Sequence, residues 1–195
     1  MIPATAVAGA IVFGMSNGAI AASFAVSGQT FKVSASRLEG DGFAQYGGLA
    51  TEKGGNPKNP ADPKNHPVAV SAIASADLYD LCQSVKVPKL PVVLTIKAGG
   101  GGKPATATDL LIDMDSLRGD ATFTDIKIGR DASDLDPSAE AGSFGQSARH
   151  VTILDLKQVA RSTSAGTFVL NGLDLKVNVG ADAKECFVDP PSTNS

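Results

Sequence analysis

Downstream of residue 24, apolar and polar side chains alternate with a period of two, in short runs punctuated by glycine and proline, with no long stripe of helical spacing. An alternating run buries one face of a strand and wets the other, so this pattern commits most of the chain to β-structure. The runs cover residues 24–26, 31–33, 66–73, 91–98, 110–114, 122–128, 150–156 and 167–179. Residues 75–85 and 156–162 carry weak helical spacing, and the first reads equally well as a pair of strands. The expected fold is mainly β: one domain over residues 24–188, sandwich- or barrel-like with a β-solenoid as the alternative, then a flexible tail over 189–195. A chain of 195 residues suits a single domain that buries roughly 70% of its unfolded surface.

The first charged side chain is Lys32, and residues 2–24 form one apolar, small-residue segment. About 21 helical residues span about 31 Å, the thickness of a bilayer's hydrocarbon core, and Pro3 suits a first helical turn. Residues 1–23 are therefore expected to form a transmembrane helix or uncleaved signal anchor. Ala6, Ala10, Gly14, Gly18 and Ala22 recur every four residues and form a ridge of small side chains, which lets helices in lipid approach closely. The competing reading is a cleaved signal peptide, since Ala19-Ile20-Ala21 has the small-x-small form that signal peptidase accepts; the mature chain would then begin at Ala22. Both readings place the β domain outside the cytoplasm, on the cell membrane or secreted.

One repeat stands out. Phe24-x-x-x-Gly28-x-x-Phe31-Lys32-Val33 returns as Phe168-x-x-x-Gly172-x-x-Leu175-Lys176-Val177, with a looser copy at residues 123–128. It fits two similar hairpins, or a duplicated β unit that places the first and last strands equivalently. Four prolines, Pro57, Pro60, Pro63 and Pro67, stiffen an extended surface loop over residues 54–67. The Gly99-Gly100-Gly101-Gly102-Lys103-Pro104 run is no phosphate loop: Lys97 stands where the first glycine is required and Pro104 where Ser or Thr is.

Cys82 and Cys186 are the only cysteines, and an even pair in a chain delivered outside the cytoplasm is expected to form one disulfide. Seventeen basic against twenty acidic residues give a net charge of -3, which offers no electrostatic footprint for nucleic acid. Gly14-x-Ser16-x-Gly18 has the letters of a nucleophile elbow but lies in the apolar segment, away from any strand-turn-helix junction. His66 and His150 sit in separate settings, one before a proline and one at a strand start. Asp113, Asp115, Asp120, Asp125, Asp131, Asp134, Asp136 and Glu140 form an acidic strip whose hard oxygens suit calcium, although the spacing matches no EF-hand, and a solvated face is the simpler account. No catalytic, cofactor or metal residue is assigned, and an enzyme is the less favoured expectation.

The segments FAVSGQTFKVS from Phe24, LEGDGF from Leu38, HPVAVSAI from His66, AGGGGKP from Ala98 and GDATFTDIKIGRDAS from Gly119, with the closing Glu185-Cys186-Phe187, resemble an uncharacterised actinobacterial cell-envelope family over residues 20–187. Members are similar in carrying an N-terminal hydrophobic segment, are often encoded near a small multi-pass membrane protein, and are labelled cholesterol esterase in some cases. The resemblance implies a cell-envelope location. The expected function is a membrane-anchored, extracytoplasmic homo-oligomer, assembled through its helix and β domain, with membrane lipid and a multi-pass protein as partners and a structural or lipid-handling role. The alternatives are a secreted ester hydrolase and a cleaved soluble binding module.

Overall fold

The computed structural model describes residues 25–190. It is mainly β, with nine strands: β1 (Phe31–Thr51), β2 (Asn65–Tyr79), β3 (Leu81–Lys86), β4 (Val92–Ala98), β5 (Ala105–Thr124), β6 (Lys127–Asp131), β7 (Phe144–Ser164), β8 (Thr167–Val169) and β9 (Asp174–Val179). Short 3-10 turns lie at Ala132–Asp134 and Gly180–Asp182. All nine strands belong to one sheet of order β6-β7-β5-β2-β1-β3-β4-β9, with β8 on β5 and every ladder antiparallel. A further ladder joins β7 to β1, so β1, β2, β5 and β7 close a circuit while β3, β4 and β9 run out of it to an open edge. The architecture is thus one partly closed sheet and not a clear barrel.

The long strands exceed the short alternating runs read from sequence because they kink. At Gly42 the β1–β2 pairing is interrupted between Asp41↔Ser75 and Phe43↔Ile73, and at Asp109 the β2–β5 pairing is interrupted between Ser75↔Thr108 and Ile73↔Leu110, with the register kept on both sides. Gly42 and Asp109 have φ of +68° and +49°, so the kink crosses β1, β2 and β5 at one level without an inserted residue. A second lies at Asp155 (φ +51°), opposite Ser36. Each kink shifts the inward parity: Val33 and Ala35, then Leu38, then Phe43 all join the same core. Residues 75–85 and 156–162, weakly helical by spacing, are strand, the first broken only at Asp80.

Curvature follows from the chain's own arithmetic. Val26 donates its N–H to Thr51 O at 2.9 Å, at the far end of β1. Five residues from Val26 to Phe31 span at most about 18 Å, whereas a straight 21-residue strand would span about 65–70 Å. β1 therefore coils around the core it encloses.

That core contains Leu38, Phe43, Ile73, Leu78, Leu110, Ile112, Met114, Val151, Ile153 and Leu156, drawn from all four strands of the circuit. A second cluster packs on the reverse face, where Tyr46, Ala50, Val68, Val70 and Leu111 meet Val26 and Ala132. β5 is therefore buried on both faces from Leu110 to Met114. The glycine run after β4 is a crossing point: a Cβ on Gly99 (φ +74°) would lie 2.5 Å from Leu78 O and 2.7 Å from Ala105 N. Pro67 sits inside β2 where only β1 is paired, because the β5 ladder begins at Ala69.

Among the described residues no helix is long and apolar enough to cross a membrane. The proposed helix with Ala6, Ala10, Gly14, Gly18 and Ala22 lies outside the described residues, as do residues 191–195 of the tail.

Candidate functional site

The part of the sheet that leaves the circuit is a four-strand ribbon, β1-β3-β4-β9, whose registers align residues in rows. Lys32, Ser84, Thr95 and Lys176 form one row, Ser34, Cys82, Lys97 and Asp174 form the next row on the same face, and Val33, Gln83, Ile96 and Leu175 form the row between them, on the opposite face. Phe31-Lys32-Val33 and Leu175-Lys176-Val177, the two copies of the sequence repeat, thus flank the β3–β4 hairpin in opposite directions. Their outer edges differ. That of β1 is filled by β7, pairing Phe31↔Ala160, Lys32↔Val159 and Val33↔Gln158, while among the described residues β9 has no strand beyond it.

Alternation gives the ribbon one polar and one apolar face. Residues 184–187 lie over the polar face, held by the Cys82–Cys186 disulfide (Cα–Cα 5.9 Å) and by the Cys186 N–H donating to Ser84 Oγ at 2.9 Å. Lys32, 8% exposed, donates from Nζ to Glu185 Oε2 at 3.0 Å and Phe187 O at 3.1 Å, pairs with Asp189 at 2.8 Å, and lies 5.1 Å from the Phe187 ring centroid. Burial works to lower the Lys32 pKa, but the hydrogen bonds and charges of Asp189 and Glu185 outweigh it and leave the ammonium above its ordinary value. Lys86 adds a second cation to Glu185 at 3.2 Å.

Beside this strap a cleft of about 630 Å³ opens, lined by Asp80, Lys97, Asp174, Lys176, Asp182 and Lys184 among others. Its charges largely offset one another, Lys176 pairing with Asp174 at 2.8 Å. The reverse face is apolar: Val85, Leu94 and Val177 form one row, and Val92 pairs with Val179. Among the described residues no element covers the β9 part, where Leu173, Leu175, Val177 and Val179 are between 54% and 63% exposed. The alternation of residues 167–179 foretold a strand here, but an alternating pattern does not say whether its apolar side is covered.

The histidines stay apart. His66 meets Glu52 Oε1 at 2.8 Å, and His150 Nδ1 meets Asp41 Oδ1 at 2.8 Å while its Nε2 lies 3.3 Å from Thr152 Oγ1. The second group has the order of a hydroxyl–imidazole–carboxylate relay. It lies on a wet sheet face, with the Asp41 side chain 69% exposed, and Thr152 lines neither the cleft nor the small apolar cavity at the core. The elbow-like Ser16 is outside the described residues.

Five members of the acidic strip, Asp113, Asp115, Asp125, Asp131 and Asp136, are taken up in separate structural pairings. Asp136, 2% exposed, accepts from Tyr46 Oη at 2.6 Å and from Ser138, and Asp113, 6% exposed, accepts from Ser162 Oγ at 2.7 Å. Burial, reinforced by Asp136, holds the Tyr46 hydroxyl protonated, and burial raises the Asp113 carboxyl against the opposing Ser162 bond. Asp131 caps the 3-10 turn through Ser133, Asp115 pairs with Arg161 and Asp125 with Arg149. Among the described residues no group of three or more His, Cys, Asp or Glu is placed to hold a metal ion.

No curated protein and no solved structure matches the chain. A family model described as a family of unknown function, DUF6230, matches residues 27–187, from the segment ahead of β1 to Phe187 just past the disulfide. The chain belongs to that family.

Proposed function

We propose that this chain is a membrane-anchored, extracytoplasmic protein of the actinobacterial envelope that self-assembles through its N-terminal helix and its β domain, in a structural or hydrophobic-ligand-handling role. The observation that carries the reading is the uncovered apolar face on the open-edged part of the sheet. Exposed apolar faces and unpaired strand edges both promote association, and this domain has them together. The Cys82–Cys186 bond supports an oxidising compartment. The ridge from Ala6 to Ala22 supplies the helix-packing element.

Intact mass of native protein extracted in mild detergent, denatured and as the native assembly, tests the reading. An uncut chain within a multimer supports it. A monomer beginning at Ala22 overturns it in favour of a soluble binding module. Ester hydrolysis is a second reading, favoured only by the Asp41–His150–Thr152 contact. It requires turnover of a fluorogenic ester that falls at least 100-fold in both Thr152→Ala and His150→Ala; equal turnover in the variants removes it.

A further inference from the structure

We propose that the outer edge of β9 pairs antiparallel with β9 of a second copy of this chain, about a two-fold axis at Leu175, so that Asp174 of each copy faces Lys176 of the other. The inference rests on the assembly reading and names the edge and register that would carry it.

The repeat supplies the first argument. Its β1 copy is followed outward by an antiparallel strand, β7, whereas the equivalent edge of its β9 copy is open among the described residues. In β1 the motif lysine meets Glu185 and Asp189, brought from far along the chain; in β9 its ion-pair partner among the described residues is Asp174, two positions away.

Backbone direction supplies the second. Gly180 N–H donates to Pro91 O at 2.8 Å, continuing the Val92↔Val179 register. In an antiparallel ladder successive residues point their N–H and C=O to opposite sides, so 174, 176 and 178 face β4. The groups of Leu175, Val177 and Val179 then point to the free edge.

Charge chooses among the registers. A two-fold axis at Leu175 sets Leu175 against Leu175, Leu173 against Val177, and Asp174 against Lys176 twice. An axis at Lys176 sets lysine against lysine, which is unfavourable directly across a strand pair. An axis at Val177 offers no ion pair. The Leu175 register also joins the two apolar faces into one surface.

The test uses the full chain in mild detergent with Leu175→Cys under gentle oxidation. Directly paired hydrogen-bonded residues lie about 5.5 Å apart at Cα, within disulfide reach. A covalent dimer is expected, with Cys82–Cys186 retained by peptide mapping. Adding Asp174→Lys should reduce its yield at least 10-fold, and adding Lys176→Asp to that should restore it. A native multimer in which Leu175→Cys forms no cross-link overturns the β9 pairing while leaving assembly intact; a native monomer overturns assembly itself. A cross-link indifferent to the charge exchange, or stronger from Lys176→Cys than from Leu175→Cys, overturns the register.

Discussion

Removal of the Cys82–Cys186 bond tests how the open part of the sheet is held. The bond spans 104 residues of sequence. Closing a loop of that length removes about 16 cal/mol/K of conformational entropy from the unfolded chain, worth about 4.7 kcal/mol at 25 °C on the chain-entropy account. The strap it anchors also carries Glu185 and Phe187 onto Lys32, so loosening it adds to the loss. Against the usual 5–15 kcal/mol of net stability, the Cys82→Ala/Cys186→Ala variant is left near the margin. With a urea slope of about 2 kcal/mol per M, the unfolding midpoint, followed by far-ultraviolet circular dichroism, should fall by about 2 M. A fall of less than about 0.5 M with unchanged slope would refute the reasoning, showing that the unfolded chain gains little freedom when the bond is removed.

Three other substitutions probe other parts of the structure. Lys32→Met leaves Glu185 and the half-exposed Asp189 short of a cation and should cost about 2 kcal/mol. Because the folded pKa of Lys32 is raised, its contribution is complete below the ordinary 10.5 and is lost as pH rises through the higher folded value, so melting curves of wild type and variant should converge only in strong alkali. Gly99→Ala forces a side chain against Leu78 O in a left-handed backbone and should cost about 2 kcal/mol or more by denaturant titration, with no effect if the loop relaxes freely. Leu156→Ala, at a site 1% exposed, should cost about 2–5 kcal/mol in the same assay, whereas less than about 1 kcal/mol would mean that the core around it collapses easily.

Strand-forming segments were legible because alternation is local, and the cysteines because an even pair has one partnering. Strand length was not. The kinks at Ser36 and Gly42 change which residues of β1 face inward while the register is kept, so a parity count loses the strand where the chain merely bends. Aspartates at Asp80, Asp109 and Asp155 take the left-handed backbone that the bends need, and their composition reads only as polarity. Asp113 and Asp136 read as part of a solvated face, since their partners Ser162 and Tyr46 lie 49 and 90 positions away. The repeat was visible in the letters, but its placement on either side of one hairpin depends on pairings that no local pattern records.

The ladder between β1 and β7 also sets an order of events. Residues 31–46 must wait for residues 145–160 before their second edge is filled. A chain emerging N-terminus first therefore carries β1 half-paired until most of the domain has appeared, and contacts of such long sequence separation place folding toward the slow, millisecond-to-second end. Cys82 meets Cys186 later still, after the last strand has been added. During that interval the first strand is the one most exposed to pairing with a neighbouring nascent chain, and a folding helper acting on this protein would have most effect by shielding it until β7 arrives.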